Sequence, residues 1–526
     1  MTASSGKSVR RREDPRLLTG RGNFTDDVKL PGLLYATILR SPWAHARIGA
    51  IDVTRARRAP GVVAVYTGRD VMDKTNPVPC AWNVPNCDLK TPPHPLLATE
   101  VVRYAGDGVA MVVAETREAA RDALDLIDVE YQPLDAVVDP ELATRDGAPQ
   151  LHGDVPSNVA FTWTVAGGDA DQAFARAPVK VKLRIVHQRM QPSAMECRAA
   201  VADYNPSSEQ LTIWVTSQNP HIHRFLCSVM LKFPEHRLRI ISPDVGGAFG
   251  SKIPAYADEA LVGFASIQLK RPVKWTEDRS ENYKATIHGR DHVQYVELCG
   301  KRDGTITGLR CRVYAGLGAY ASTAGPGIPT ILHGLMYSGP YTIPNIKGVV
   351  QGVYTTTTPV DAYRGAGRPE ATYLLERLVD TFARRLKLDP IDVRRKNLIP
   401  ADSFPYTVAT GLTYDSGNYQ GALDKALGML DYQAFRREQA AARRKGRYLG
   451  LGITTYCEIC GLGPSAVAGA VGFGGGLYDS AVVRVYPTAV VRVYIGAKPH
   501  GQGEETTFAQ IVADEFGIGV DAVEVV

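Results

Sequence analysis

Three glycine-rich stretches hold the residues best suited to chemistry. They are Pro243-Asp244-Val245-Gly246-Gly247-Ala248-Phe249-Gly250-Ser251-Lys252, Asp361-Ala362-Tyr363-Arg364-Gly365-Ala366-Gly367-Arg368-Pro369 and His500-Gly501-Gln502-Gly503-Glu504-Glu505-Thr506-Thr507. Glycines let a backbone take positive φ and approach a ligand closely, and successive free N–H groups can wrap an anion. The second and third stretches each run into a helical pattern, and helix N-termini favour anions. Thr216-Ser217-Gln218-Asn219-Pro220-His221 adds an amide upstream. Together they suggest one large ligand gripped at several points. Taken singly, each is as well read as a turn in a chain with 50 glycines among 526 residues. Gln218 alone reads as a strand-end amide bonding loop backbone, Phe249 as core and Arg364 as a loop ion pair.

The elements around these stretches show two periodicities. Leu33–Arg40, Val62–Tyr66, Gly108–Ala114 and Asp128–Tyr131 read as strands, with a helix capped by Thr116 before the last. Val179–Val186 alternates every second residue, as a half-buried strand does. A helix begins at Asp258 and ends at Arg271-Pro272, and another follows Pro369 with Leu374, Leu375, Leu378, Val379, Phe382 and Leu386 on one side. Asp389-Pro390 is expected to end it, and the basic run Arg394-Arg395-Lys396 to be solvated or ion-paired. Phe508, Ile511, Val512 and Phe516 mark a helix after the third stretch. The Thr75–Pro95 excursion reads as lining an entrance or an interface. Gly461-Leu462-Gly463 and Gly472–Gly476 read as pocket lining or turns. These features predict an α+β chain: an arm at 1–15, an α/β unit at 16–138, a polar linker at 139–156 and a second domain at 157–526.

Net charge is +5 with acids and bases interspersed, and no basic stripe with interleaved aromatics points to nucleic acid. No run approaches the roughly 20 apolar residues that cross a bilayer. Arg10-Arg11-Arg12 is followed by Glu13-Asp14-Pro15 rather than an apolar core, so no signal peptide is read there. A cytoplasmic protein is expected, unless a partner carries an export signal. Of eight cysteines only Cys457 and Cys460 form a C-x-x-C pair, too few for a zinc or iron–sulfur site. His187 and Glu196 fit no ligand spacing and are read as structural.

The four stretches, in this order and spacing, resemble the molybdopterin-binding large subunit of the xanthine dehydrogenase, aldehyde oxidase and aerobic carbon monoxide dehydrogenase family. Leu30-Pro31-Gly32 and Arg40-Ser41-Pro42-Trp43-Ala44-His45-Ala46 are similar to its N-terminal hammerhead-like domain. The resemblance implies a molybdenum hydroxylase that oxidatively hydroxylates an electron-poor carbon with water as the oxygen source. It further implies a molybdenum-carrying molybdopterin, the cytosine dinucleotide form being one option. Partners would be an iron–sulfur small subunit with 2Fe-2S and a medium subunit with FAD, arranged as a dimer of heterotrimers. Gln218 would donate to an oxygen on molybdenum, and backbone N–H groups around Phe249 and Arg364 would hold further oxygens. These three would face the metal, and Gly246, Gly247, Gly250, Gly365, Gly501, Gln502 and Gly503 would hold the cofactor.

Departures from the family pattern narrow the substrate. Members that oxidise carbon monoxide carry a copper-binding Cys where this chain has Gly365. Purine-oxidising members place an Arg at Leu332, an aromatic at Ala366 and a carboxylate at Ile253. A substrate pocket with these three residues is expected to disfavour xanthine and to admit aldehydes or N-heterocycles. The family's catalytic Glu segment has no counterpart here, so the molybdopterin-binding domain is expected to be incomplete at its C-terminus and the chain inactive by itself. The rivals are a carbon monoxide dehydrogenase-like chain of unassigned substrate and a non-catalytic fragment or assembly module. A hydrolase lacks its G-x-S-x-G elbow, and Gly6-Lys7-Ser8 lacks the leading glycine of a phosphate loop.

Overall fold

Gly108–Ala114 buries all seven of its residues, the pattern of a strand covered on both faces. In the computed structural model, which describes residues 4–526, this strand lies in a seven-stranded sheet. The order is Leu238–Ile241, Gln210–Val215, Ala199–Asn205, Val273–Thr276, Leu34–Arg40, Gly108–Ala114, Val62–Thr67. Leu34–Arg40 pairs in parallel with Val273–Thr276, so strands from either side of residues 139–156 share one sheet. Helices Pro220–Leu231 and Ala257–Leu269 bury Leu226, Met230, Leu261 and Phe264 in that sheet's core.

The second sheet has five strands in the order Val159–Gly167, Ile346–Tyr354, Ile306–Gly318, His292–Gly300, Val179–His187. Helix Arg368–Leu386 covers it with the apolar face read from the sequence, and the largest core cluster forms between them. At the C-terminal side, Ala481–Val485, Val491–Ile495 and Val523–Val525 make a three-stranded sheet. Helix Glu504–Phe516 packs on it through Ala509 and Ala513. The N-terminal arm is tied to this helix: Ser4 N donates to Asp514 Oδ1 at 2.7 Å, and Thr506 Oγ1 donates to Glu13 Oε2 at 2.6 Å.

Several expectations need correction. Asp389-Pro390 does not end the long helix; Lys387 does so in the left-handed region, and Asp389 caps a new helix, Pro390–Asn397. Proline suits a first helical turn, and the Asp389 carboxylate accepts from the N–H of Ile391. The Arg394-Arg395-Lys396 run is ion-paired as expected, to Glu376 and Asp380, to Asp424 and to Asp303; what the sequence did not show is that Arg394 is fully buried. Ile511 and Phe516 are exposed, so small residues rather than these face the sheet. Trp82, in the 75–95 excursion, is buried and donates to Val471 O at 2.8 Å. The excursion therefore closes over the Gly472–Gly476 segment.

Candidate functional site

Gln218 leaves the end of strand Gln210–Val215 just before helix Pro220–Leu231, whose proline-first start was not read from the sequence. Its side-chain Oε1 accepts from the N–H of Gly250 at 2.9 Å and from that of Lys252 at 3.4 Å. Its backbone N–H donates to Lys252 O at 3.0 Å. The amide is thus clipped to the first glycine loop, with Nε2 turned the other way. There it meets His500 Nε2 at 3.2 Å, which Gln502 Nε2 also approaches, at 3.1 Å.

The first and second loops join backbone to backbone. The N–H of Arg364 donates to Phe249 O at 2.9 Å, and the Arg364 guanidinium stands 5.8 Å from the Phe249 ring centre. Phe249 has φ 57°, a left-handed conformation that costs a non-glycine residue energy and persists where surroundings over-determine it. At Gly250 a Cβ would stand 2.1 Å from Ala362 O, so only glycine allows the two loops to touch. Arg290 supports the second loop from below, donating to Tyr363 O at 3.0 Å, to Arg364 O at 2.7 Å and to the buried Glu370.

Beneath the first loop lies a buried clamp that sequence spacing did not reveal. Glu196 Oε2 accepts from Gly246 N–H and from Lys252 Nζ, both at 2.8 Å. Lys252 is only 1% exposed, and burial lowers its pKa against the pull of Glu196. The first and third loops are joined from outside by Arg16, which pairs with Asp244 at 2.6 Å and with Glu505.

Sequence-selected residues therefore converge: Gln218, Gly246, Gly247, Phe249 and Gly250 on one loop face, Arg364 and Gly365 on the next, and Gln502 through His500. Gly501 and Gly503 flank Gln502 at φ 119° and 85°. Leu332 and Ala366 are buried in the main core, with Ile253 half-buried against the same cluster. Three expected donors are spent within the protein: the Arg364 N–H on Phe249 O, the Gly246 N–H on Glu196 and the Gly250 N–H on Gln218. Among the described residues, the N–H groups of Phe249, Gly365, Gly501, Gln502 and Gly503 meet no protein acceptor.

This donor set suits an anionic, oxygen-rich ligand. Among the described residues no group of three or more His, Cys, Asp or Glu could ligate a metal. A metal would therefore have to arrive with ligands of its own, which is the chemistry of a pterin-bound molybdenum. The residues fit such a group. Burial lowers the pKa of His500 and of Lys498 beside it, and raises that of Glu504.

Three family models cover most of the chain. "Aldehyde oxidase and xanthine dehydrogenase, a/b hammerhead domain" matches residues 19–135, and "Molybdopterin cofactor-binding domain" matches 151–398 and, in a second model, 425–526. The carbon monoxide dehydrogenase large chain of Hydrogenophaga pseudoflava is 40% identical over 98% of this chain and 65% of its own length. The nicotine 6-hydroxylase large subunit of Paenarthrobacter nicotinovorans is 37% identical over 99% of this chain and 63% of its own. The chain thus spans just under two thirds of these relatives' length. Quinoline 2-oxidoreductase from Pseudomonas putida 86 superposes with a TM-score of 0.94 at 36% identity, covering 99% of this chain and 66% of that one. The Cu,Mo-CO dehydrogenase structure gives 0.92 at 37% identity, covering 99% and 67%.

Proposed function

We propose, from the premise that this chain belongs to the molybdopterin-binding large-subunit family of xanthine dehydrogenases, aldehyde oxidases and aerobic carbon monoxide dehydrogenases, that it is the cofactor-holding part of a molybdenum hydroxylase. The reaction is oxidative hydroxylation of an electron-poor carbon, with water as the oxygen source. When bound, the molybdopterin-held molybdenum supplies the two-electron redox chemistry, and the electrons leave through 2Fe-2S and FAD groups on partner subunits. The chain's own residues bind and orient. Gln218 would present an amide N–H, the N–H groups of Phe249 and Gly365 would donate to oxygen ligands of the bound group, and Gly501, Gln502 and Gly503 would hold the pterin or its phosphate.

The observation that carries this reading is the single hydrogen-bonded unit formed by Gln218, the Phe249 loop, the Arg364 loop and the His500 loop, from segments up to 282 positions apart. An aromatic N-heterocycle is the favoured substrate class, an aldehyde the next. Two similar proteins are named for nicotine and quinoline, and Leu332, Ala366 and Ile253 bring no charge or stacking ring to a pocket. Carbon monoxide is disfavoured by Gly365: its φ is 97°, and a Cβ there would stand 2.4 Å from Pro369 Cγ, leaving no room for a copper-binding thiolate. We further propose iron–sulfur and flavin partner subunits in a dimer of heterotrimers, a cytoplasmic location and a division of the chain at 139–156. Among the described residues no helix is long and apolar enough to cross a membrane.

The test is Gln218→Ala in the full-length large chain, co-produced with its partners. Loss of a preorganised donor is expected to lower kcat by about 100-fold, while the chain stays folded with a melting temperature lowered only by the lost bonds to Gly250, Lys252 and His500. Wild-type turnover in that variant would overturn the reading.

A further inference from the structure

The hydrogen bonds around His500 admit one proton arrangement. His500 Nδ1 lies 3.2 Å from the carbonyl of Lys498, which can only accept, so Nδ1 carries the proton. His500 Nε2 lies 3.2 Å from Gln218 Nε2, which can only donate, so it is bare and its one lone pair accepts from Gln218; Gln502 Nε2, 3.1 Å from Nε2 and 3.3 Å from Nδ1, stands over the ring. Both amide orientations are fixed independently of the ring. Gln218 Oε1 faces the N–H groups of Gly250 and Lys252, and Gln502 Oε1 accepts the His500 backbone N–H at 2.6 Å. Swapping either amide would set oxygen against the bare ring nitrogen and NH2 against N–H donors.

We propose that His500 is a positioning residue for Gln218: as the Nδ1–H tautomer it takes one amide proton of Gln218 and leaves the other N–H of that amide aimed at the bound group. The proposal rests on the cofactor-site reading for its consequence, though not for its geometry. It also gives a physical reason for the distance between the two residues in the chain. The amide oxygen is held by the first loop and the amide nitrogen by the third, so the donor is set only when both loops are docked. A neutral ring also keeps a positive charge from being added beside Lys252 and Lys498, the cations that bear on it.

Two measurements test this. In the 526-residue chain labelled with 15N-histidine, the His500 signal, assigned by its loss in His500→Gln, is expected to show a protonated Nδ1 and a bare Nε2. A protonated Nε2 would overturn the proposal, whatever the function proves to be. In the full-length complex, His500→Gln restores an acceptor and is expected to keep kcat within about threefold of wild type, whereas His500→Leu loses roughly tenfold or more, the scale of one lost hydrogen bond. KM and molybdenum content are expected to stay put in both. Equal rates for the Gln and Leu variants would also overturn it. A wild-type complex lacking molybdenum would instead sink the functional reading and leave the tautomer measurement to decide the inference.

Discussion

The backbone N–H of Arg364 donates to the carbonyl of Phe249 at 2.9 Å, joining a glycine-rich loop that precedes strand His292–Gly300 to one that follows strand Ile346–Tyr354. Each loop is therefore part of the other's conformation. Disturbing either should loosen both.

Gly250→Ala tests that coupling. Its Cβ would meet Ala362 O at 2.1 Å at a φ of 109°. A backbone clash combined with a left-handed alanine is expected to cost about 2–4 kcal/mol. Gly428→Ala, in an exposed helix with open space around the site, should instead stabilise by up to about 1 kcal/mol. Thermal unfolding of the two variants checks both signs.

Lys252→Met would leave Glu196 with its ammonium partner removed beneath the first loop. Losing one member of a buried pair costs about 3–5 kcal/mol, and the residual 18% exposure of Glu196 puts the expected loss at the lower end. Urea unfolding should show it, together with faster proteolysis between Asp244 and Lys252. An unchanged midpoint would remove the clamp from the account.

Gly365→Cys should neither bind copper nor be tolerated. The new Cβ would press on Pro369 Cγ at 2.4 Å. A fall in melting temperature with no stoichiometric copper after reconstitution is expected. A stable variant that loads copper would reopen the carbon monoxide reading.

Acid should destabilise the chain. Burial, chiefly, holds His94, His152 and His288 down to about 4 and His333 down to about 3. Unfolded histidines take up protons near pH 6.5, so the stability from these neutral rings is full above that and is lost as pH falls toward 4. Asp107 and Glu281, pushed up to about 7 by burial, act in the opposite sense and lose their contribution as pH rises toward 7. His45, His187, His292 and His500 are lowered as well and Asp291, Asp361 and Glu504 raised, so eight histidines against five carboxyls favour the first effect. The melting temperature should fall between pH 7 and pH 5, and a rise would contradict the balance.

Much of the scaffold was legible because its signals are local. Gly108–Ala114 was read to the residue from one apolar run, and the Thr116 cap was read from its place before the first helical turn, Oγ1 accepting from Ala119 N–H at 3.1 Å. The site's loops were legible because glycine density and the helical patterns after them are local too. Its clamps were not: Arg16 to Asp244 and Glu505, Glu196 to Lys252, and His500 to Gln218 are pairings across tens to hundreds of residues, and each partner alone is an ordinary polar residue. Asp389-Pro390 was misread because a proline marks the end of one helix and the first turn of the next equally well.

These converging loops are proposed to hold a molybdenum-bearing pterin. That is tested most directly by metal and pterin analysis of the full-length chain purified with its partners from molybdate medium. Stoichiometric molybdenum and a pterin that are both lost when the glycine loops are disrupted by Gly250→Ala is the expected result. A folded wild-type complex carrying neither would contradict it.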